Sequence, residues 1–65
     1  MHVSKLTAKR ILKHMGAARV SDDAAVEFAD AINSYAYRTA GKAVKLTLHA
    51  KRKTVEKADI TLAKN

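Results

Sequence analysis

The chain has 65 residues, with 13 Lys and Arg against 6 Asp and Glu, a formal net charge of +7, and neither cysteine nor proline. Chains this short bury only about 60% of the surface their unfolded form exposes, and 13 of these residues are alanines, which each remove little area from water. A monomer is therefore marginal, disulfides and cysteine-based zinc sites are excluded, and association with another chain is the remaining source of stability.

The charge surplus points to polyanions as partners. No apolar run approaches the roughly 18 residues that a membrane span needs, and the N-terminus lacks the apolar core of a secretory signal. The expectation is an intracellular, soluble, single domain over residues 1–65, with no linker, repeat or low-complexity tract.

The first helix is expected to start near Ser4 or Thr7, with Ala8, Ile11, Leu12 and Met15 at helical spacing and Lys5, Lys9, Arg10 and Lys13 around them. Gly16 ends it as a C-terminal cap. Such a segment resembles a membrane-surface helix in composition, but three turns with one modest stripe more often pack on a protein core. The second helix starts at Ser21, whose side chain can accept from first-turn N–H groups, while Asp22 and Asp23 complement the helix dipole. Its apolar stripe is Ala25, Phe28, Ile32, Tyr35, Ala36, Ala40, Ala43 and Leu46, and it runs to about His49. That is about 29 residues, or roughly 43 Å at 1.5 Å per residue. Neither flanking helix can be more than about half as long, so one chain cannot cover the stripe. The small residues Ala36, Ala40 and Ala43 would let another long helix cross closely, and Gly41 either serves the same approach or is tolerated.

The opposite face of this helix reads Asp23, Glu27, Asp30, Ser34, Arg38, Lys42 and Lys45, acidic first and basic second, as the dipole favours. It reads as a solvated face. Ala50-Lys51-Arg52-Lys53 forms the second loop, Thr54 caps a last helix, and Val55, Ala58, Ile60 and Leu62 are expected to be buried on one broad side of it. His2 and His14 read as surface residues. Catalysis has no visible basis: there is no nucleophile with its base, metal cluster, cofactor motif or glycine-rich phosphate loop, and a helix start explains the Asp22-Asp23 pair.

Several of these residues together resemble the archaeal histone family. They are Arg10-Ile11, Gly16-Ala17, Arg19-Val20-Ser21-Asp22-Asp23-Ala24, Lys45-Leu46, His49-Ala50, Arg52-Lys53-Thr54 and Asp59-Ile60. The similarity covers about residues 9 to 63 without a gap, and the two loop motifs together are specific where either alone is weak. The resemblance implies an all-α histone fold of short, long and short helices, in which two chains clasp head to tail in a handshake dimer. Its core would include Phe28, Ile32, Tyr35, Ala36, Ala40 and Ala43. The first loop of one chain would lie beside the second loop of the other, so that Arg19 enters the minor groove of double-stranded DNA while Lys53 and Thr54 hold adjacent phosphates. Arg10 and Lys13, assisted by Lys9, would form a central phosphate site, and Lys51 would add phosphate attraction.

The resemblance also pairs Arg52 with Asp59, two turns into the last helix, with a DNA contact as the alternative for Arg52. It assigns Leu46, His49 and Asp59 to a four-helix contact between dimers, giving tetramers or longer stacks; otherwise His49 simply meets the dipole at a helix end. Sister histones become possible partners, and the expected location is the chromosome or nucleoid of the cytoplasm. The chain departs from the family in lacking a proline-containing lead before Ala8, in Lys51 where a glycine is common, in Glu56 and Ala58, and in the order Tyr37-Arg38. A left-handed backbone at residue 51 would suit glycine better than lysine. The functional expectation is an architectural protein that bends, wraps and compacts DNA with little sequence preference. The alternatives are a histone-fold interaction subunit that needs an unlike chain, and a sequence-specific regulator, which minor-groove and backbone contacts argue against.

Overall fold

The computed structural model describes residues 3–65. Among them are three helices and no strand: α1 (Lys5–His14), α2 (Asp22–His49) and α3 (Lys57–Ala63). The short, long, short order and the all-α class are as read from the sequence. His2 lies outside the described residues, and His14 is exposed at the end of α1. No helix is long and apolar enough to cross a membrane among the described residues.

The contacts cluster into two units that divide within α2, after Ser34. In the first, Ser4 caps α1 by accepting from the Thr7 N–H at 3.1 Å, and Ala8, Ala25 and Ala29 are buried. Asn33 exchanges two hydrogen bonds with the Val3 backbone, accepting from its N–H at 2.8 Å and donating to its carbonyl at 3.2 Å. That pair satisfies backbone groups of the chain entering α1, which no helix would serve.

The second unit has Ala43, Thr47, Asp59 and Ala63 as its buried residues. Here α3 differs from expectation. Its N-cap is Glu56, not Thr54, because the Thr54 carbonyl is held by Arg52 Nη1 at 3.1 Å while the Glu56 N–H donates to the Asp59 carboxylate at 2.9 Å. The helix thus begins at Lys57, and Asp59 stands in its first turn rather than two turns in. Val55, Ala58, Ile60 and Leu62 are exposed rather than buried. A seven-residue helix turns one narrow side inward, and the i, i+4 pair Asp59 and Ala63 occupies it.

Each buried hydrophobic residue is an alanine, and the largest fully buried side chain is Thr47. The α2 stripe is correspondingly uneven. Ala25 and Ala43 are buried within the chain, Phe28 and Ile32 are half-buried, and Tyr35, Ala36 and Ala40 are exposed. Burying a large aliphatic or aromatic side chain contributes about 1.5–3 kcal/mol, and no such side chain is fully buried here. The apolar surface that could supply that stability faces outward.

Both connections use the same device. After α1, the Gly16 N–H donates to Lys13 O at 3.0 Å and the Ala17 N–H to Leu12 O at 3.1 Å, with Gly16 at φ 115°. After α2, the Lys51 N–H donates to Leu48 O at 2.9 Å and the Arg52 N–H to Thr47 O at 3.1 Å, with Lys51 at φ 60°. These are paired Schellman bonds, which satisfy the last carbonyls of a helix through one left-handed residue. The left-handed geometry expected at residue 51 is therefore present, and a lysine occupies it. Replacing Lys51 with glycine is expected to raise stability by roughly 0.5–1 kcal/mol, since an L side chain is strained in this region and glycine is not. Chemical unfolding midpoints at fixed protein concentration check it; an unchanged or lowered midpoint contradicts it.

Candidate nucleic-acid interface

In the first unit, the loop from Met15 to Ser21 joins two well-defined helix ends. Gly16 closes α1, and Ser21 opens α2 with its side chain accepting from the Ala24 N–H at 3.1 Å and its carbonyl from the Ala25 N–H at 3.0 Å. Arg19 lies between them and is exposed. On α1, Arg10 and Lys13 are exposed at i, i+3 spacing and share a face. Arg10, Lys13 and Arg19 have no ion pair or side-chain hydrogen bond among the described residues.

Lys9 is different. Its Nζ donates to Asp22 Oδ1 at 3.1 Å, and Lys5 Nζ lies 4.0 Å from the same oxygen. The Lys9 hydrogen bond, followed by the Lys5 charge, holds the Asp22 carboxyl below its ordinary pKa. Asp22 thus does more than complement the helix dipole.

In the second unit, the loop Ala50–Val55 sorts its cations in the same way. Arg52 turns inward and makes a two-pronged pair with Asp59, Nη2 to Oδ1 at 2.8 Å and Nη1 to Oδ2 at 3.0 Å. Glu56 Oε1 lies 3.3 Å from Nη1 on the outer side. The Asp59 carboxylate also accepts from Glu56 N–H, and Thr47 Oγ1 stands 2.8 Å from Oδ2 and 2.9 Å from Ala43 O, its single proton serving one acceptor at a time. The bond from Arg52, then those from Glu56 and Thr47, hold the Asp59 carboxyl far below the usual carboxylate range, and the same pair pushes the Arg52 pKa up. Arg52 is therefore committed inside the unit, as the pairing with Asp59 implies. Lys51 and Lys53 remain exposed and unpaired among the described residues, and the exposed Thr54 keeps a free hydroxyl while its carbonyl is held.

An open, mainly apolar hollow of about 550 Å³ lies on this unit, lined by Lys42, Lys45, Leu46, His49, Leu62 and Ala63. It brings together Leu46 and His49, two of the three residues expected at a dimer-dimer contact. Asp59, the third, does not line it and is only 4% exposed. Leu62, expected to be covered by its own chain, supplies the groove's opposite wall and is 64% exposed. Sequence reasoning missed Thr47 and Asn33 altogether. For Thr47 a signal existed: it lies four residues after Ala43 on a face otherwise apolar.

Comparison with known proteins places this geometry among relatives. The family of histone-like transcription factors (CBF/NF-Y) and archaeal histones matches residues 5–63. Probable archaeal histone 3 of Methanocaldococcus jannaschii is 50% identical over 54 residues, covering 83% of this chain and 81% of that protein. The first of the named subunits of archaeal histone HAN1, from Thermococcus zilligii, is 43% identical over 54 residues, with the same coverage.

Proposed function

The chain belongs to the family of histone-like transcription factors and archaeal histones, and from that premise we propose that it is an architectural chromatin protein that compacts duplex DNA. It acts as a homodimer. The observation that carries the DNA reading is the division of its loop cations: Arg52 is neutralised inside its unit, whereas Arg19, Lys51 and Lys53 are exposed and unpaired among the described residues. Cations kept free in a chain of net charge +7 suit a polyanion better than they suit folding.

Dimerisation follows from the all-alanine interior and the exposed stretch Tyr35, Ala36 and Ala40 of the long helix. A head-to-tail partner covers that stretch and sets Arg19 of one chain beside Lys53 and Thr54 of the other. Arg19 then enters the minor groove, where a narrow groove concentrates negative potential. Lys53, the Thr54 hydroxyl and Lys51 take phosphates, while Arg10 and Lys13 of the two chains form a central phosphate site. None of these contacts reads a base uniquely, so the protein bends and wraps DNA with little sequence preference. Further dimers, of this chain or of a sister histone, join through the groove of Leu46, His49 and Leu62, giving tetramers or stacks on the chromosome.

Titration against two unrelated duplexes of equal length at several salt concentrations tests this. Equal affinities are expected, falling with a log-log slope of about 0.9 per phosphate neutralised. Weak binding to both would mean a subunit whose partner is an unlike protein chain, and a marked preference for one would mean a sequence-specific regulator.

A further inference from the structure

We propose that Lys9 is a positioning residue for the first loop, acting through Asp22, and not one of the DNA-phosphate ligands. The inference rests on the DNA-binding reading for its functional consequence and on the geometry of the first unit for its substance. Three cations follow one another on α1, and they are treated differently. Arg10 and Lys13 are exposed and unpaired among the described residues. The Lys9 side chain is 29% exposed and its ammonium is 3.1 Å from the Asp22 carboxylate.

That bond spans 13 residues. It joins the middle of α1 to the first residue of α2, and so closes the base of the loop that carries Arg19 three residues before Asp22. Gly16 and Ser21 fix the backbone at the two ends of this loop, yet neither links one helix to the other. The Lys9–Asp22 bond does, together with the Asn33–Val3 pair at the far end of the same unit. A phosphate could recruit Lys9 only by displacing a carboxylate already in hydrogen-bond contact, whereas Arg10 and Lys13 can bind with nothing to break. Lys5, one turn earlier and 4.0 Å from Asp22, provides a second positive charge at the carboxylate. Loss of Lys9 alone is therefore partly compensated, and loss of the Asp22 carboxylate removes both ties.

The test compares Lys9→Gln, Asp22→Asn, the double variant, Lys13→Gln as a phosphate-ligand reference, and Asp23→Asn as a control for charge and helix dipole. Two readouts are taken: the salt dependence of duplex binding, and backbone amide exchange over residues 16–20 in the DNA-free protein. Lys9→Gln is expected to weaken binding by at most about fivefold, the scale of an exposed ion pair, with the wild-type log-log slope retained. Lys13→Gln should lower the slope by about 0.9 for each phosphate it ceases to neutralise. Loop exchange should quicken about two- to fivefold in Lys9→Gln and at least as much in Asp22→Asn, with no further increase in the double variant and none in Asp23→Asn. A slope for Lys9→Gln that falls as far as that of Lys13→Gln overturns the proposal, as does loop exchange unchanged in both Lys9→Gln and Asp22→Asn. If the wild-type protein fails to bind duplex DNA, the DNA reading fails, while the exchange measurements still decide whether Lys9 holds the loop.

Discussion

Replacing Asp59 with alanine is expected to lower the thermal midpoint by more than roughly 10 °C, a large effect for a single substitution in so small a chain. The reason is the number of groups that end on one carboxylate. Arg52 binds both of its oxygens, the Glu56 N–H donates to it at the start of α3, and Thr47 approaches it from α2. Alanine would leave the Arg52 guanidinium facing a cavity and remove the first tie of a helix only seven residues long. Asparagine is expected to do little better. Its amide NH₂ would confront guanidinium N–H groups, donor against donor. Thr47→Val is milder, because it removes one donor while Arg52 and Glu56 still hold the carboxylate; a cost of about 1–2 kcal/mol is expected.

The same node sets a pH dependence of defined sign. The folded state holds the Asp59 carboxyl below its ordinary value, so the stability it supplies is complete above that ordinary value, about 3.9. It is lost as the pH falls further, toward the folded-state value, because protonation then favours the unfolded chain. Urea midpoints at fixed protein concentration should stay level from neutrality to about pH 5 and decline below about pH 4. In Asp59→Asn the midpoint should start lower and lose this component of the acid decline. A variant as stable as the wild type, or one with an undiminished acid decline, would remove Asp59 from the centre of the second unit. Its low exposure also bears on assembly. Asp59 offers a neighbouring dimer almost no surface, and changing it together with His49 would test folding more than dimer contact; Leu46, His49 and Leu62 are the residues to vary for the latter.

What the sequence made legible was mostly local. Ser21 as a cap, the end of α1 at Gly16 and the extent of α2 to His49 each follow from a residue whose backbone preference acts over a few positions. The resemblance to the histone family added the Arg52–Asp59 pair and pointed to a left-handed Lys51. The errors lie where a tertiary contact competes with local preference. Thr54 is an acceptable cap by itself, but Arg52 takes its carbonyl and Asp59 starts the helix two residues later. Lys9 looks like any basic residue on α1 until Asp22, 13 positions away, is seen beside it. Periodicity placed Val55, Ile60 and Leu62 on an apolar side correctly enough, yet it cannot say whether that side is covered by the same chain. In this protein it is not.

Changing Arg19 and Lys53 together to alanine is expected to weaken duplex binding on the order of 10²- to 10³-fold near 0.1 M salt, by similar factors on unrelated sequences. In the proposed dimer the two substitutions remove four cations, two at each end, and the log-log salt slope should flatten by up to about 0.9 for each phosphate no longer neutralised. Folding should be nearly untouched. Both side chains are exposed and neither has an ion pair or hydrogen bond among the described residues, and surface changes away from such contacts usually stay within about 0.5 kcal/mol. That separation of binding from stability is the informative part. Arg52→Ala would also weaken binding, but through loss of the Asp59 node and with a lower unfolding midpoint. A double variant that binds like the wild type would remove the loop cations from the interface and leave Arg10 and Lys13 as its only cationic anchors. A loss confined to one sequence would be incompatible with groove and backbone contacts, because those present nearly the same chemistry on every duplex.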